Sequence, residues 1–303
     1  VLTGLFVFGI TSWYGEARVT FSLLGALLLA ATMSSTDSAS VFNILRSQNI
    51  NLKHNLRPML ELESGSNDPM AYLLTIILIQ SMQTGDVSAW DIVFSLMLQF
   101  IVGIVGGYLL GKLAVWVVNK VELRNVELYS IMVMCFIFII YSVVFLLKGN
   151  GYLAVYLAGM VLGNSTLFKK REISTFLNGM TWLLQVVMFL MLGLLVNPHE
   201  MLPVALIAIV VGLFMILVAR PVSVWLCLMP FGKKITTKSK LFISWVGLRG
   251  AAPIIFATYP VVAKVDGGNQ IFNIVFFVTL LSLLSQGMSL SWVAKKLGLT
   301  EDV

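Results

Sequence analysis

Apolar residues along this chain gather into ten long runs, at 1–12, 20–45, 57–83, 90–118, 127–147, 151–166, 174–196, 201–229, 239–262 and 269–294, separated by short polar breaks. There is no strand-like alternation, and few runs show a clean amphipathic stripe. A helix that is apolar all round belongs in a deep core or a bilayer, and ~20 such residues cross the ~30 Å hydrocarbon layer. Backbone groups in lipid must be satisfied within their own segment, so each run predicts a helix. Runs that carry polar clusters at mid-depth predict interrupted helices.

Composition agrees with the pattern. Of 303 residues 58% are hydrophobic and 11% charged, against roughly 25% charged in soluble domains. The fold class expected is an all-α polytopic membrane protein in the cell membrane. A net charge of +6 raises nucleic acid as a partner, but the cations alternate between breaks. Arg46/Lys53/Arg57, Lys112/Lys120/Arg124, Lys169/Lys170/Arg171, Lys233/Lys234/Lys238/Lys240 and Lys295/Lys296 lie in or at the edges of the breaks after the even-numbered runs. That is the positive-inside pattern, which makes those loops and the C-terminus cytoplasmic and the partner a lipid bilayer, with no nucleic acid. Cys135 and Cys227 lie in separate apolar runs with no spacing for a disulfide framework or zinc site. The chain begins at Val1 inside an apolar run, without initiator Met, which predicts that N-terminal segments are missing.

Polar residues at membrane depth carry the functional signal. The first stretch, Met33-Ser34-Ser35-Thr36-Asp37-Ser38-Ala39-Ser40, surrounds a carboxylate with side chains that compete for backbone hydrogen bonds, which favours an unwound segment. The second, Glu61-Leu62-Glu63-Ser64-Gly65-Ser66-Asn67-Asp68-Pro69, puts Glu63, Ser64, Asn67 and Asp68 on one helical face. Pro69 removes a helical hydrogen bond beside that face, leaving an oxygen-rich stripe of the kind hard cations take. The third, Trp245-Val246-Gly247-Leu248-Arg249-Gly250-Ala251-Ala252-Pro253, sets a guanidinium among glycines and a proline. A buried arginine needs a carboxylate, and Glu63 is the expected partner of Arg249. For Arg220, beside Pro221, a structural role is expected, bonding freed carbonyls.

Asp37 and Arg249 each lie nine residues from a cytoplasmic cation, and Asp68 eleven, so all three reach ~13–16 Å into the bilayer. Two oppositely directed broken helices meeting beside a carboxylate helix is the plan of inverted-repeat secondary transporters. The division expected is 1–83 as the first half of a transport core, 84–200 as dimerisation or scaffold helices, and 201–303 as the second half of the core.

The Thr36-Asp37 break, the Glu63-Ser64-x-x-Asn67-Asp68-Pro69 helix and the Gly247-Leu248-Arg249-Gly250 break together resemble monovalent cation:proton antiporters of the NhaP type. The C-terminal run from Asn269 to Trp292 looks most like their potassium/proton (CvrA) group. The resemblance implies an inverted-repeat fold with more membrane helices than the ten runs here, a bacterial inner-membrane location and a homodimer. It implies that Asp68 is shared by cation and proton, with Asn67 supporting it and Ser64 and the Thr36 backbone as cation ligands. Asp37 would then face the positive helix ends, and Glu63 with Arg249 would form a structural ion pair. The transported species would be K+, or alternatively Na+ or Li+, exchanged for H+ by competition at Asp68, with no cofactor. Asn67 in place of a second carboxylate points to electroneutral exchange.

Two other classes compete. An intramembrane aspartyl protease also needs two carboxylates at depth, but Asp68 follows Ser66-Asn67 rather than Gly-x-Gly, and a dyad leaves Arg249 unexplained. A passive cation channel lacks support because no Thr-Val-Gly-Tyr-Gly filter sequence is present. The protein is therefore expected to be a transporter and not an enzyme. Gly103, Gly107 and Gly111 recur every four residues, a stripe that permits close helix packing within or between subunits.

Overall fold

The structure, a computed structural model, describes residues 1–13, 20–53, 55–84 and 89–300. The elements in chain order are α1 (Leu2–Trp13), α2 (Leu23–Thr32), α3 (Ser38–Ser47), α4 (Leu56–Thr84), α5 (Ala89–Lys120), α6 (Glu127–Leu146), α7 (Gly151–Asn164), α8 (Lys170–Leu195), α9 (Pro198–Met201), α10 (Ala205–Phe214), α11 (Arg220–Cys227), α12 (Thr237–Trp245), α13 (Ala251–Val262), α14 (Gly268–Ser282) and α15 (Met288–Lys296). Among the described residues five helical stretches are long and apolar enough to cross a membrane, at Val93–Lys120, Glu127–Leu146, Lys170–Leu195, Pro198–Cys227 and Gly268–Lys296. The remaining runs give shorter helices, or, in α4, a 29-residue helix interrupted by polar side chains.

The second and ninth runs are each split in two. Residues 33–37 separate α2 from α3, and residues 246–250 separate α12 from α13. Local chemistry sets the ends of these half-helices. Ser22 caps α2 by accepting from the Gly25 N–H, Asp37 caps α3 by accepting from the Ser40 N–H, and Thr236 caps α12 by accepting from the Ser239 N–H. Each cap satisfies a backbone donor that the first helical turn leaves without a partner.

Two further helices change pitch without breaking. Between α10 and α11 the residues Met215–Ala219 form a π turn, and between α14 and α15 the residues Leu283–Gly287 form another. Such turns concentrate at functional sites. Here they deliver Arg220 and Gln286.

The chain divides into two compact units, one made of residues 1–85 and 192–303, the other of 86–191. In the first, Val41, Phe42 and Leu45 of α3 pack with Leu60 of α4, Phe242 and Ile243 of α12, and Leu290 of α15, closing one side of both interrupted helices. In the second, α5 lies along α7. A Cβ on Gly107 would stand 2.7 Å from Ala154 Cα, and one on Gly111 2.9 Å from Ala158 Cα. The glycine stripe therefore serves packing inside the chain, where only a residue without Cβ lets the two backbones touch. Outward faces are apolar: Leu194 is 76% exposed, Trp182 58% and Ile101 60%. Lys112, Lys120 and Lys296 fold back over the rings of Tyr108, Trp116 and Trp292 at 4.5–4.7 Å, aromatic and cationic side chains of the sort that anchor helix ends at a membrane interface.

Candidate functional site

Unwinding residues 33–37 frees backbone groups, and buried backbone groups must be paired. The pairing comes from other elements of the first unit. The Asp37 N–H donates to the Leu248 carbonyl at 2.8 Å, linking the two breaks directly. The Thr36 N–H donates to Asn67 Oδ1 at 3.2 Å, while Asn67 Nδ2 donates to Thr36 Oγ1 at 2.6 Å. The Thr36 carbonyl accepts from Ser64 Oγ at 2.6 Å, and Ser64 Oγ in turn accepts from the Ser38 N–H at 3.3 Å. The Ser35 carbonyl accepts from Arg249 Nη1 at 2.5 Å. A stretch of irregular chain is thus held on three sides, by α4, by the second break and by an arginine.

Ser64, Asn67 and Asp68 all face this stretch, as their spacing on α4 requires. Asp68 Oδ1 accepts a hydrogen bond from the Ser35 hydroxyl. Asp68 is half-buried, and among the described residues no lysine or arginine forms an ion pair with it. Asp37 is committed otherwise. Its carboxylate accepts from the Ser40 N–H at 3.0 Å and the Ser40 hydroxyl at 2.6 Å, at the start of α3. It also lies against Gly250, the residue that opens α13, so closely that a Cβ there would overlap the carboxylate. Negative charge beside the N-terminal ends of two helices is electrostatically favourable.

The expected pairing of Glu63 with Arg249 is corrected. Glu63 is bonded by both terminal nitrogens of Arg220, Nη1 to Oε1 and Nη2 to Oε2, the latter at 3.0 Å. Arg220 Nη2 also donates to the Ile243 carbonyl at 3.3 Å, near the end of α12, so the carbonyl-bonding role expected of it is present beside the ion pair. The physical reason is placement. Arg220 enters from the π turn before α11 and runs past Gly247, where a Cβ would be 2.8 Å from its Nε. Arg249, on the break itself, points instead to the Ser35 carbonyl.

The second break has a support the sequence reading did not find. The Arg249 N–H donates to Ser282 Oγ at 3.0 Å, Ser282 Oγ donates to Gln286 Oε1 at 2.6 Å, and Gln286 Nε2 donates to the Trp245 carbonyl at 2.7 Å. Ser282 and Gln286 are fully buried. Ser35, within the same polar stretch as Thr36 and Asp37, is a further site residue: its hydroxyl, not that of Ser64, is the one on Asp68. A buried polar pair four residues apart in an apolar run was the available signal for Ser282 and Gln286.

A cavity of about 340 Å³ opens in the second unit between α6, α7 and α8, lined mainly by apolar side chains such as Val133, Phe136 and Leu177. None of the residues above borders it. Among the described residues no group of three or more His, Cys, Asp or Glu side chains is placed to hold a metal. The crossing thus brings the Asp68 carboxylate, which forms no ion pair among the described residues, close to the Ser35 and Ser64 hydroxyls and the Thr36 carbonyl.

Residues 1–296 match the family described as sodium/hydrogen exchanger, transmembrane. The chain is 44% identical over 278 residues to a K(+)/H(+) antiporter NhaP2 of Shewanella sp. (strain MR-4), an overlap of 90% of this chain and 47% of that protein. It is 42% identical over 276 residues to a K(+)/H(+) antiporter NhaP of Alkalimonas amylolytica, covering 91% of this chain and 48% of the relative. A Na(+)/H(+) antiporter NhaH of Halobacillus aidingensis is 30% identical over 285 residues, with 90% of this chain and 69% of the relative covered. The chain thus spans about half the length of the first two relatives.

Proposed function

The chain belongs to the sodium/hydrogen exchanger family of membrane proteins, and on that premise we propose that it exchanges a monovalent cation for a proton by competition at Asp68. One observation carries this reading. Of the acidic side chains at the crossing, Glu63 is neutralised by Arg220 and Asp37 caps α3, while Asp68 accepts from the Ser35 hydroxyl and, among the described residues, pairs with no lysine or arginine. A charged carboxylate at membrane depth without a cationic partner is costly unless it binds something. It holds a proton or a cation, not both, so loading one expels the other.

The Ser35 hydroxyl, now donating to Asp68, turns a lone pair to an arriving cation. The Thr36 carbonyl and Ser64 hydroxyl supply further oxygens, since each retains unused acceptor capacity. Asn67 holds the Thr36 peptide in register. Because Asn67 is neutral, the site carries one exchangeable charge, which favours one proton per cation. Potassium is favoured over sodium because the relatives at 44% and 42% identity are named K(+)/H(+) antiporters and the one at 30% a Na(+)/H(+) antiporter.

The unit of residues 1–85 and 192–303 acts as the transport core, arranged as an inverted repeat, and the unit of 86–191 as the scaffold through which two copies pair. The location is the bacterial inner membrane with the C-terminus cytoplasmic, from the alternation of basic loops. The test is reconstitution in liposomes with a pH dye inside. Potassium added outside should move protons, and Asp68→Asn should abolish the signal; if sodium or lithium alone works, the potassium assignment falls. Proton movement that survives Asp68→Asn would sink the shared-carboxylate mechanism.

A further inference from the structure

Both breaks are tied together by a continuous run of hydrogen bonds, buried up to its last, part-buried member at Asp68, that starts outside the ion site. From its far end it reads Gln286 to Ser282, Ser282 to the Arg249 N–H, the Arg249 guanidinium to the Ser35 carbonyl, and the Ser35 hydroxyl to Asp68. Ser35 and Ser282 have no exposed surface, Gln286 has 1% and Arg249 6%. Each bond after the first fixes a group whose orientation the next bond uses. Gln286 is additionally anchored to the Trp245 carbonyl, the last of α12. The end of α12 is therefore held from two π turns, by Gln286 at Trp245 and by Arg220 at Ile243.

We propose that Gln286 is a positioning residue for transport: with Ser282 it sets the backbone of the α12–α13 break, and so the Arg249 guanidinium that holds the Ser35 peptide and aims its hydroxyl at Asp68. This deepens the antiport reading and rests on it. Among the described residues the Gln286 side chain hydrogen-bonds to Ser282 and the Trp245 carbonyl, not to Asp68. Its effect passes through Arg249, whose amide and guanidinium are both in use, one on each side of the crossing. Buried polar runs of this kind are fully effective only when every member is satisfied, so removing an end member loosens the rest. Glutamine suits the position because its amide both accepts from Ser282 and donates to a carbonyl.

The test uses the protein in liposomes and in detergent. Wild type is compared with Gln286→Met, Ser282→Ala, the double variant, and Ser285→Ala, an exposed neighbour bonded only within its own helix. Gln286→Met and Ser282→Ala should each raise the half-saturating cation concentration about tenfold, the double variant should be no worse than either, and Ser285→Ala should match wild type. In detergent, hydrogen exchange of residues 34–38, to which neither side chain is hydrogen-bonded among the described residues, should accelerate in both variants along with 246–250. Faster exchange confined to 246–250, with half-saturation unchanged, makes Gln286 a helix cap only and overturns the proposal. Should Gln286→Met fold poorly, Ser282→Ala decides alone, since it cuts the run while sparing the bond to Trp245. If wild type moves no protons, the antiport reading fails, and exchange at 34–38 still decides whether Gln286 governs the first break.

Discussion

The amide of Asp37 donates to the carbonyl of Leu248 at 2.8 Å, so the last residue of the first break is hydrogen-bonded to the middle of the second. Neither break is a loop free to rearrange alone. The same contact brings Gly250 against the Asp37 carboxylate with no room for a Cβ. Gly250→Ala should therefore force the breaks apart by a few tenths of an ångström or more and cut cation-driven proton movement at least tenfold, because positioning errors of that order are costly at a reacting centre. Dye-loaded liposomes check it; full activity in Gly250→Ala would show that the crossing tolerates separation.

The two carboxylates of α4 should respond in opposite ways to neutralisation. Asp68→Asn keeps shape and removes no ion pair, so it should leave the thermal midpoint in detergent near wild type while abolishing transport. Glu63→Gln breaks a bidentate pair whose side chains are 11% and 29% exposed, leaving Arg220 uncompensated; a loss of about 2 kcal/mol is expected, below the ~3–5 of a fully buried pair. The double change Glu63→Gln with Arg220→Met should recover part of that loss, a non-additivity that thermal unfolding of Glu63→Gln, Arg220→Met and the double variant measures.

Ser34 and Ser35 are neighbours with different work. The Ser34 hydroxyl donates to the Ala31 carbonyl within its own turn, whereas Ser35 donates to Asp68. Ser35→Ala should change the half-saturating cation concentration about tenfold, the weight of one hydrogen bond to a charged group, and Ser34→Ala by less than about twofold. Equal effects would remove Ser35 from the site.

Gly107→Val should destabilise the second unit by about 1–3 kcal/mol through overpacking against Ala154. Transport per folded molecule should be retained, since Asp68 lies in the other unit. Thermal unfolding and activity normalised to folded protein separate the two.

Much of the architecture could be read without coordinates, for identifiable reasons. A helix and its face are local properties: apolar runs of the right length, and Ser64, Asn67 and Asp68 three and four residues apart, need only the pitch of one element. The breaks at 33–37 and 246–250 were visible because serine, aspartate, glycine and proline weaken a helix wherever they cluster. The π turn at Met215–Ala219 left no such mark, since its residues are all apolar, and at Leu283–Gly287 one serine and one glycine in an apolar run fall short of a cluster.

What the amino-acid order determined by itself was therefore the membrane class, the helices, the interrupted pair and the carboxylate stripe, all set by composition and short-range periodicity. Which groups meet across the fold was decided only by tertiary structure. Arg220 and Arg249 are both arginines within apolar runs, equally eligible on chemistry to neutralise Glu63. The packing of α11 and α12 brings in Arg220, 157 positions away in the chain, and leaves Arg249 to span the crossing. The same packing settles that Ser35 rather than Ser64 faces Asp68, because a hydrogen bond depends on the rotation and offset of two helices at the ångström scale, which no spacing along one chain records.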